Sequence, residues 1–236
     1  MTPQVVADYE ALSRRAADLM IDCLRAKPNA LFCLAAGATP TRTYNLFADH
    51  YQREPRLFER MRVLKLDEWG GLAMDDPASC ERFLRQTIVE PLCLQQRYVA
   101  FDSQVEDPAA EAARIARWLK EHGPIDLCVL GLGMNGHLGF NEPGPSLRPH
   151  ALVAKLSTES LKHAMLDQTS TRPTCGLTLG MADLLQARQV LLLLNGAKKA
   201  GPLRRLLRGE ISTEFPASFL WLHPDATLLC DADAMQ

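Results

Sequence analysis

No CxxC pair occurs in this chain of 236 residues, although it carries seven cysteines, Cys23, Cys33, Cys80, Cys93, Cys128, Cys175 and Cys230. An odd number excludes complete disulfide pairing, and the spacing supplies no zinc motif. Cys33 in LFCLA and Cys128 in DLCVLGLG lie in apolar runs, so buried, reduced thiols and a cytoplasmic location are expected. Long hydrophobic runs are also missing, which excludes a membrane-spanning helix, and the opening MTPQVVADYEALSRR lacks the layout of a signal peptide. A surplus of one charge is missing too. The 26 Lys and Arg against 28 Asp and Glu leave a net charge of -2, so neither nucleic acid nor an anionic membrane is expected as a partner. There is no low-complexity segment, repeat or long linker. With 47% hydrophobic residues the chain can bury a substantial core, and residues 1–236 read as a single domain.

What is present is an alternation of strands and helices. Val5 to Ala26 reads as an amphipathic helix, with Leu12, Ala16, Leu19 and Cys23 recurring at helical spacing. Leu31 to Ala35 reads as a buried strand, and Thr39-Pro40 as a hydroxyl N-cap and first-turn proline opening a helix. Further strands are expected at Arg62 to Leu66, Ile125 to Leu130, Leu152 to Leu156, Thr174 to Leu179, Gln189 to Leu194 and Thr227 to Cys230. Helices are expected at Ser79 to Ile88, Pro108 to His122, Thr158 to Leu166, Met181 to Ala187 and Lys198 to Arg208. This pattern predicts an α/β, Rossmann-like fold, a mostly parallel sheet with helices on both faces, whose ligands bind beyond the carboxyl ends of the strands.

Four polar motifs fall at those strand ends. AAGATPTRTY (Ala35 to Tyr44) turns from strand to helix where free N–H groups can hold an anion, or where a threonine merely caps. It carries neither the GK[ST] of a Walker loop nor the GxGxxG of a dinucleotide site. LKLDEWGGL places Asp67 and Glu68 at a strand end, where paired acids are solvated groups or, next to a carbonyl substrate, proton carriers. DLCVLGLGMNGHLGFNEPG, Asp126 to Gly144, sets His137 in a glycine-dense loop with Glu142 five residues on, a layout for an imidazole oriented by a carboxylate. Its GLGMNG is not a nucleotide loop, because Pro143 and Pro145 interrupt any following helix. LLLLNGAKKA (Leu191 to Ala200) puts Lys198 and Lys199 in the first turn of a helix, where the dipole disfavours a cation unless an anion sits beside it; the alternative is two solvated lysines, which is the reading for Lys198.

Together these motifs resemble the glucosamine-6-phosphate deaminase family, which also holds galactosamine-6-phosphate isomerases and is related to 6-phosphogluconolactonases. GATP, LDEW, GLGMNGHLGFNEPG, LTLGMADLLQA, NGAKKA and LHP occur in the family's order along nearly the whole chain. The Asn141-Glu142-Pro143 turn is the segment that, as a rule, the lactonases do not have. The resemblance implies Asp67 as proton shuttle, His137 as ring-opening acid and base, and Glu142 as the residue orienting it. Gly37, Ala38, Thr39 and Lys199 match positions that hold the sugar phosphate, and Glu68 and Gly136 are grouped with them as substrate contacts. Arg148, Lys162 and Arg172 are open as further phosphate ligands. His223 of LHP is expected to be structural. Asn135 departs from the aspartate usual in the glucosamine deaminases. It still accepts a hydrogen bond but adds no charge beside His137. Such an asparagine and a segment like HAML (His163 to Leu166) accompany members named galactosamine-6-phosphate isomerases. The end of the chain soon after Cys230 leaves little of the region that longer members use for allosteric control.

The reaction implied is ring opening by His137, transfer of the C2 proton to C1 by Asp67, and loss of ammonia. The partner is a small-molecule sugar phosphate. No metal or organic cofactor is expected, since no ligand cluster is present, and self-association into a homo-oligomer stays open. Two other readings use the same residues. A lactonase would need His137 but no C2 proton shuttle, and a sugar-phosphate sensor would bind without turnover.

Overall fold

The computed structural model describes residues 1–236. In chain order its elements are β1 (Pro3–Val6), α1 (Tyr9–Ala26), β2 (Leu31–Leu34), α2 (Ala38–Tyr51), β3 (Arg62–Lys65), β4 (Asp67–Gly70), α3 (Cys80–Leu84), β5 (Tyr98–Val99), α4 (Pro108–His122), β6 (Leu127–Gly131), β7 (Leu152–Ala154), β8 (Cys175–Thr178), α5 (Met181–Leu185), β9 (Gln189–Leu194), α6 (Ala200–Leu207) and β10 (Ala226–Asp231). Seven strands pair in the order β1-β10-β9-β6-β2-β3-β5, every pair parallel.

Strand alternation divides the interior into two cores. Phe32, Leu34, Val63, Val129 and Leu191 point to one face, where α1 and α2 contribute Leu12, Met20, Leu24, Tyr44 and Phe47. Leu31, Cys33, Leu64, Cys128 and Leu192 point to the other, under Ile115 of α4, Leu184 of α5 and Leu203 and Leu206 of α6. Each such side chain, moved fully from water, contributes about 1.5–3 kcal/mol, so the parallel sheet is stable only because helices cover both faces. The expected fold class is therefore what the chain adopts. All seven cysteines are free thiols. No helix is long and apolar enough to cross a membrane.

Several boundaries differ from the sequence expectation. Val5 and Val6 belong not to the first helix but to β1, an edge strand in register with β10 (Pro3 opposite Leu228). The helix starts at Tyr9, where Asp8 accepts a hydrogen bond from the Ala11 amide at 2.8 Å. A four-residue edge strand held by backbone pairing leaves no period in the sequence that separates it from a helix turn. The strand expected at Arg62 to Leu66 continues as β4, which leaves the main sheet and pairs antiparallel with β8, and β8 with β7. Nothing in the sequence pattern predicts this three-stranded sheet, which carries Asp67 and Trp69 to the cavity wall. The helix expected over Thr158 to Leu166 is two short 3-10 turns, Ser160–Lys162 and Ala164–Gln168. Its hydroxyls and His163 cap turns locally instead of leaving the backbone to an α-helix.

Candidate active site

One cavity of about 360 Å³ opens beyond the carboxyl ends of β2 and β6. The end of β2 supplies Ala35 to Thr39, β4 supplies Asp67 and Trp69, and the loop after β6 supplies Gly131 to Met134 and His137. Lys198 and Lys199 come from the turn after β9, and Glu159 to Met165 close the opposite side.

At the end formed by α2, the sequence placed the helix cap at Thr39. The structure places it at Gly37, with Ala38 the first helical residue. Pro40 then falls at the third helical position, where its missing N–H is still one the helix could not use. The Thr39 hydroxyl is instead spent across the sheet, donating to Asn195 Oδ1 at 2.6 Å. Lys199 donates from Nζ to the Leu132 carbonyl at 2.6 Å, joining this end to the glycine loop. Burial holds its pKa below the ordinary lysine value. A helix N-terminus, two lysines and the exposed Lys162 form the basic side of the cavity. Arg148 and Arg172, the other phosphate candidates, do not line it.

At the other end, His137 is held by its own loop. Its backbone N–H donates to Asn135 Oδ1 at 3.1 Å. Its ring lies over Gly133, where any Cβ would run into the imidazole. Nδ1 is buried 3.5 Å from Glu142 Oε2 and has no nearer partner, an ion-pair distance that becomes a hydrogen bond only with a small approach. Asn135 Nδ2 donates to the same Glu142 Oε2 at 3.0 Å. Glu142 Oε1 accepts from the Ser160 hydroxyl and from the Ser157 amide at 3.3 Å. Burial alone would raise the Glu142 pKa. The contacts with His137, Ser160 and Asn135 overcome it and hold the carboxyl at about 2. Glu142 is thus a fixed negative charge behind His137, and through Ser157 and Ser160 it also fastens the segment carrying Lys162 and His163. Those serines were not legible in the sequence, because STES has no spacing that separates it from any polar turn. The His163 pKa is lowered, first by its partial desolvation on the cavity wall and then by nearby positive charge, Lys199 included.

Asp67, the first residue of β4, lines the same cavity as His137. Burial first, and the neighbouring Glu68 second, push its carboxyl up to about 7, against the opposing pull of Lys65. Two residues grouped with the substrate contacts are not on the cavity wall. Glu68 is fully buried and accepts hydrogen bonds from the amides of Trp69, Cys80 and Glu81 and from Lys65. Gly136, at φ 92°, is backed by the Phe215 ring in the space a side chain would need. His223 accepts from the Asp225 amide at Nδ1, so its Nε2–H donates to the Ala187 carbonyl at 2.8 Å, a structural placement remote from the cavity.

The model of the glucosamine-6-phosphate isomerases/6-phosphogluconolactonase family matches residues 5–229. The chain is 45% identical to the putative deaminase AgaI of Escherichia coli K12 over 94% of this chain and 88% of the relative. It is 35% identical to glucosamine-6-phosphate deaminase 1 of Bacillus subtilis 168 over 96% and 95%. The solved structure of a monomeric glucosamine-6-phosphate deaminase superimposes with a TM-score of 0.94 at 34% identity, covering 100% of both chains. The 6-phosphogluconolactonase of Trypanosoma brucei shares the fold, with a TM-score of 0.79 at 22% identity over 99% and 97%. From its matched length, its relatives and its superposition, the chain belongs to the glucosamine-6-phosphate isomerase/6-phosphogluconolactonase family.

Proposed function

We propose that this protein is an amino-sugar-6-phosphate deaminase/isomerase that converts galactosamine- or glucosamine-6-phosphate to the ketose 6-phosphate and ammonia. The observation that carries the reading is the placement of two different acid-base groups, Asp67 and the His137–Glu142 pair, on one cavity whose other end is basic. A lactone hydrolase has no use for a carboxyl poised near neutrality opposite its histidine.

The phosphate sits against the α2 N-terminus and Lys199, with Lys162 reaching from the segment opposite. It takes no part in the chemistry but fixes C1 and C2 between the two acid-base groups. His137, with Nδ1 turned to Glu142, uses Nε2 to take the C1 hydroxyl proton and give one to the ring oxygen. The aldehyde so formed acidifies the C2 hydrogen. Asp67 in its ionised form removes it, the electron pair forms the C1=C2 double bond, and the C1 oxygen takes the carbonyl electrons and a proton from the substrate's C2 ammonium to give an enolamine. Asp67, now protonated, returns the proton to C1. The resulting C2 imine adds water, and the carbinolamine releases ammonia. Asp67 needs both protonation states within one turnover, and a pKa near 7 supplies both.

Ammonia release from glucosamine- and galactosamine-6-phosphate, measured side by side with acid release from 6-phosphogluconolactone, tests the reading. Ammonia from either amino sugar is the expected result. Acid release alone overturns it in favour of a lactonase, and tight binding of both sugars without product overturns it in favour of a sensor.

A further inference from the structure

Asp67 and Glu68 are consecutive in a strand, so their side chains leave opposite faces. Asp67 and Trp69 line the cavity, and Glu68 points into the wall behind them. There its carboxylate is fully occupied. Oε1 accepts from the Trp69 amide at 2.8 Å and the Cys80 amide at 3.0 Å. Oε2 accepts from the Glu81 amide at 2.7 Å and from Lys65 Nζ at 2.7 Å. Lys65 and Glu68 are both 0% exposed. Lys65 Nζ reaches Glu81 Oε2 at 2.9 Å, and Glu81 is completed by Arg85 Nε at 2.7 Å and the Tyr98 hydroxyl at 2.8 Å. Two cations and two carboxylates balance within this wall. Asp67 is outside the balance, since its carboxylate accepts no hydrogen bond from the protein and pairs with no cation.

The other groups around Asp67 supply no counter-charge from behind. Cys33 of β2, Tyr44 of α2 and Cys80 of α3 are neutral at pH 7, their ionisation pushed well up by burial. The charged or titratable groups that face it do so across the open cavity: His137, His163, Glu159, Lys162, Lys198 and Lys199. Lys65 is therefore the cation that decides the matter: it bonds Glu68 and Glu81, and its charge also acts on Asp67, two residues on.

We propose that Glu68 is a positioning residue for Asp67: it holds the Lys65 ammonium inside the wall, so that Asp67 has no counter-ion and is free to take up and hand over a proton. The proposal rests on the reading of Asp67 as the proton shuttle. A carboxylate paired with lysine would take a proton from C2 poorly and be ionised again before it could return one. The same residue holds the shape of the wall. Its bonds to the Cys80 and Glu81 amides close the first turn of α3, which carries Cys80 against the cavity.

Two readouts test it: the pH dependence of kcat/KM, and the titration of the Asp67 carboxyl followed by infrared spectroscopy of aspartate-labelled protein with Asp67→Asn as the subtraction. Glu68→Gln removes the neighbouring charge and frees Lys65. The Asp67 midpoint and the acidic limb are expected to fall by about one pH unit or more, with kcat reduced. Glu81→Gln breaks the same network at its far end but leaves Glu68 charged, and the midpoint is expected to stay at the wild-type value. If both variants only lower the melting temperature and neither moves the midpoint, Glu68 is structural and the proposal is overturned. Should Glu68→Gln not fold, the wild-type titration decides. A midpoint near 7 upholds the missing counter-ion, and one at or below the ordinary carboxyl value shows that Lys65 already serves Asp67. Failure of the shuttle reading is separate: it would appear as normal C2 exchange in Asp67→Asn, whatever the midpoint.

Discussion

Asn135 donates its amide to Glu142 Oε2 at 3.0 Å, the carboxylate oxygen that lies 3.5 Å from His137 Nδ1. Its side-chain carbonyl takes the His137 backbone N–H, so Asn135 fixes the loop and steadies Glu142 and does not touch the ring. An aspartate in its place would set a second carboxylate against Glu142. The two would repel, and the donor to Glu142 would be lost. Asn135→Asp is expected to loosen Glu142 from its place behind His137, lowering both kcat and the melting temperature at pH 8. Thermal scans and turnover measured on both proteins check this. A variant as stable and as active as wild type would mean that Ser157 and Ser160 alone fix Glu142.

His137→Gln removes the ring-opening group while keeping a polar side chain over Gly133. A loss of about 10²-fold or more in kcat is expected, the scale of a positioned acid-base group. Sugar-phosphate binding should survive, because α2 and Lys199 are untouched. Calorimetry beside turnover makes the comparison, and a near wild-type kcat would remove the assigned role.

Asp67→Asn should abolish exchange of the C2 hydrogen with deuterated solvent. It should also change stability in a definite sense. A carboxyl whose folded pKa is raised to about 7 contributes stability that is complete below its unfolded pKa and lost as pH rises through 7. Wild type therefore loses stability between about pH 4 and 7 that the asparagine variant keeps. Thermal scans should show Asp67→Asn melting higher than wild type at pH 8, by about 2–4 °C for each kcal/mol relieved, and no higher at pH 4.

Lys199→Ala should raise KM with little change in kcat, because the phosphate charge is the same in ground and transition states. Its lowered pKa adds that wild-type KM should climb at a less alkaline pH than an ordinary lysine would dictate. A fall in kcat at constant KM would show instead that the bond to Leu132 O, which ties Lys199 to the loop of His137, is the more important one.

The sequence by itself determined the architecture, because apolar strands of four to six residues between amphipathic helices can bury their faces in few other ways. Pro108–His122 and Gln189–Leu194 have the bounds their periodicity predicts. It also pointed to the loops that line the cavity, since glycines and polar residues gather at the ends of its buried strands. Tertiary structure alone decided which of two neighbouring acids meets the cavity. Asp67 and Glu68 are equivalent as text, and only the departure of β4 into a second, antiparallel sheet turns one outward and locks the other onto Lys65. It alone decided that Thr39 spends its hydroxyl on Asn195, 156 residues away, and that Ser160 reaches Glu142. Such contacts arise from the crossing of elements distant in the chain, and local spacing, on which a reading of one sequence depends, holds no record of them.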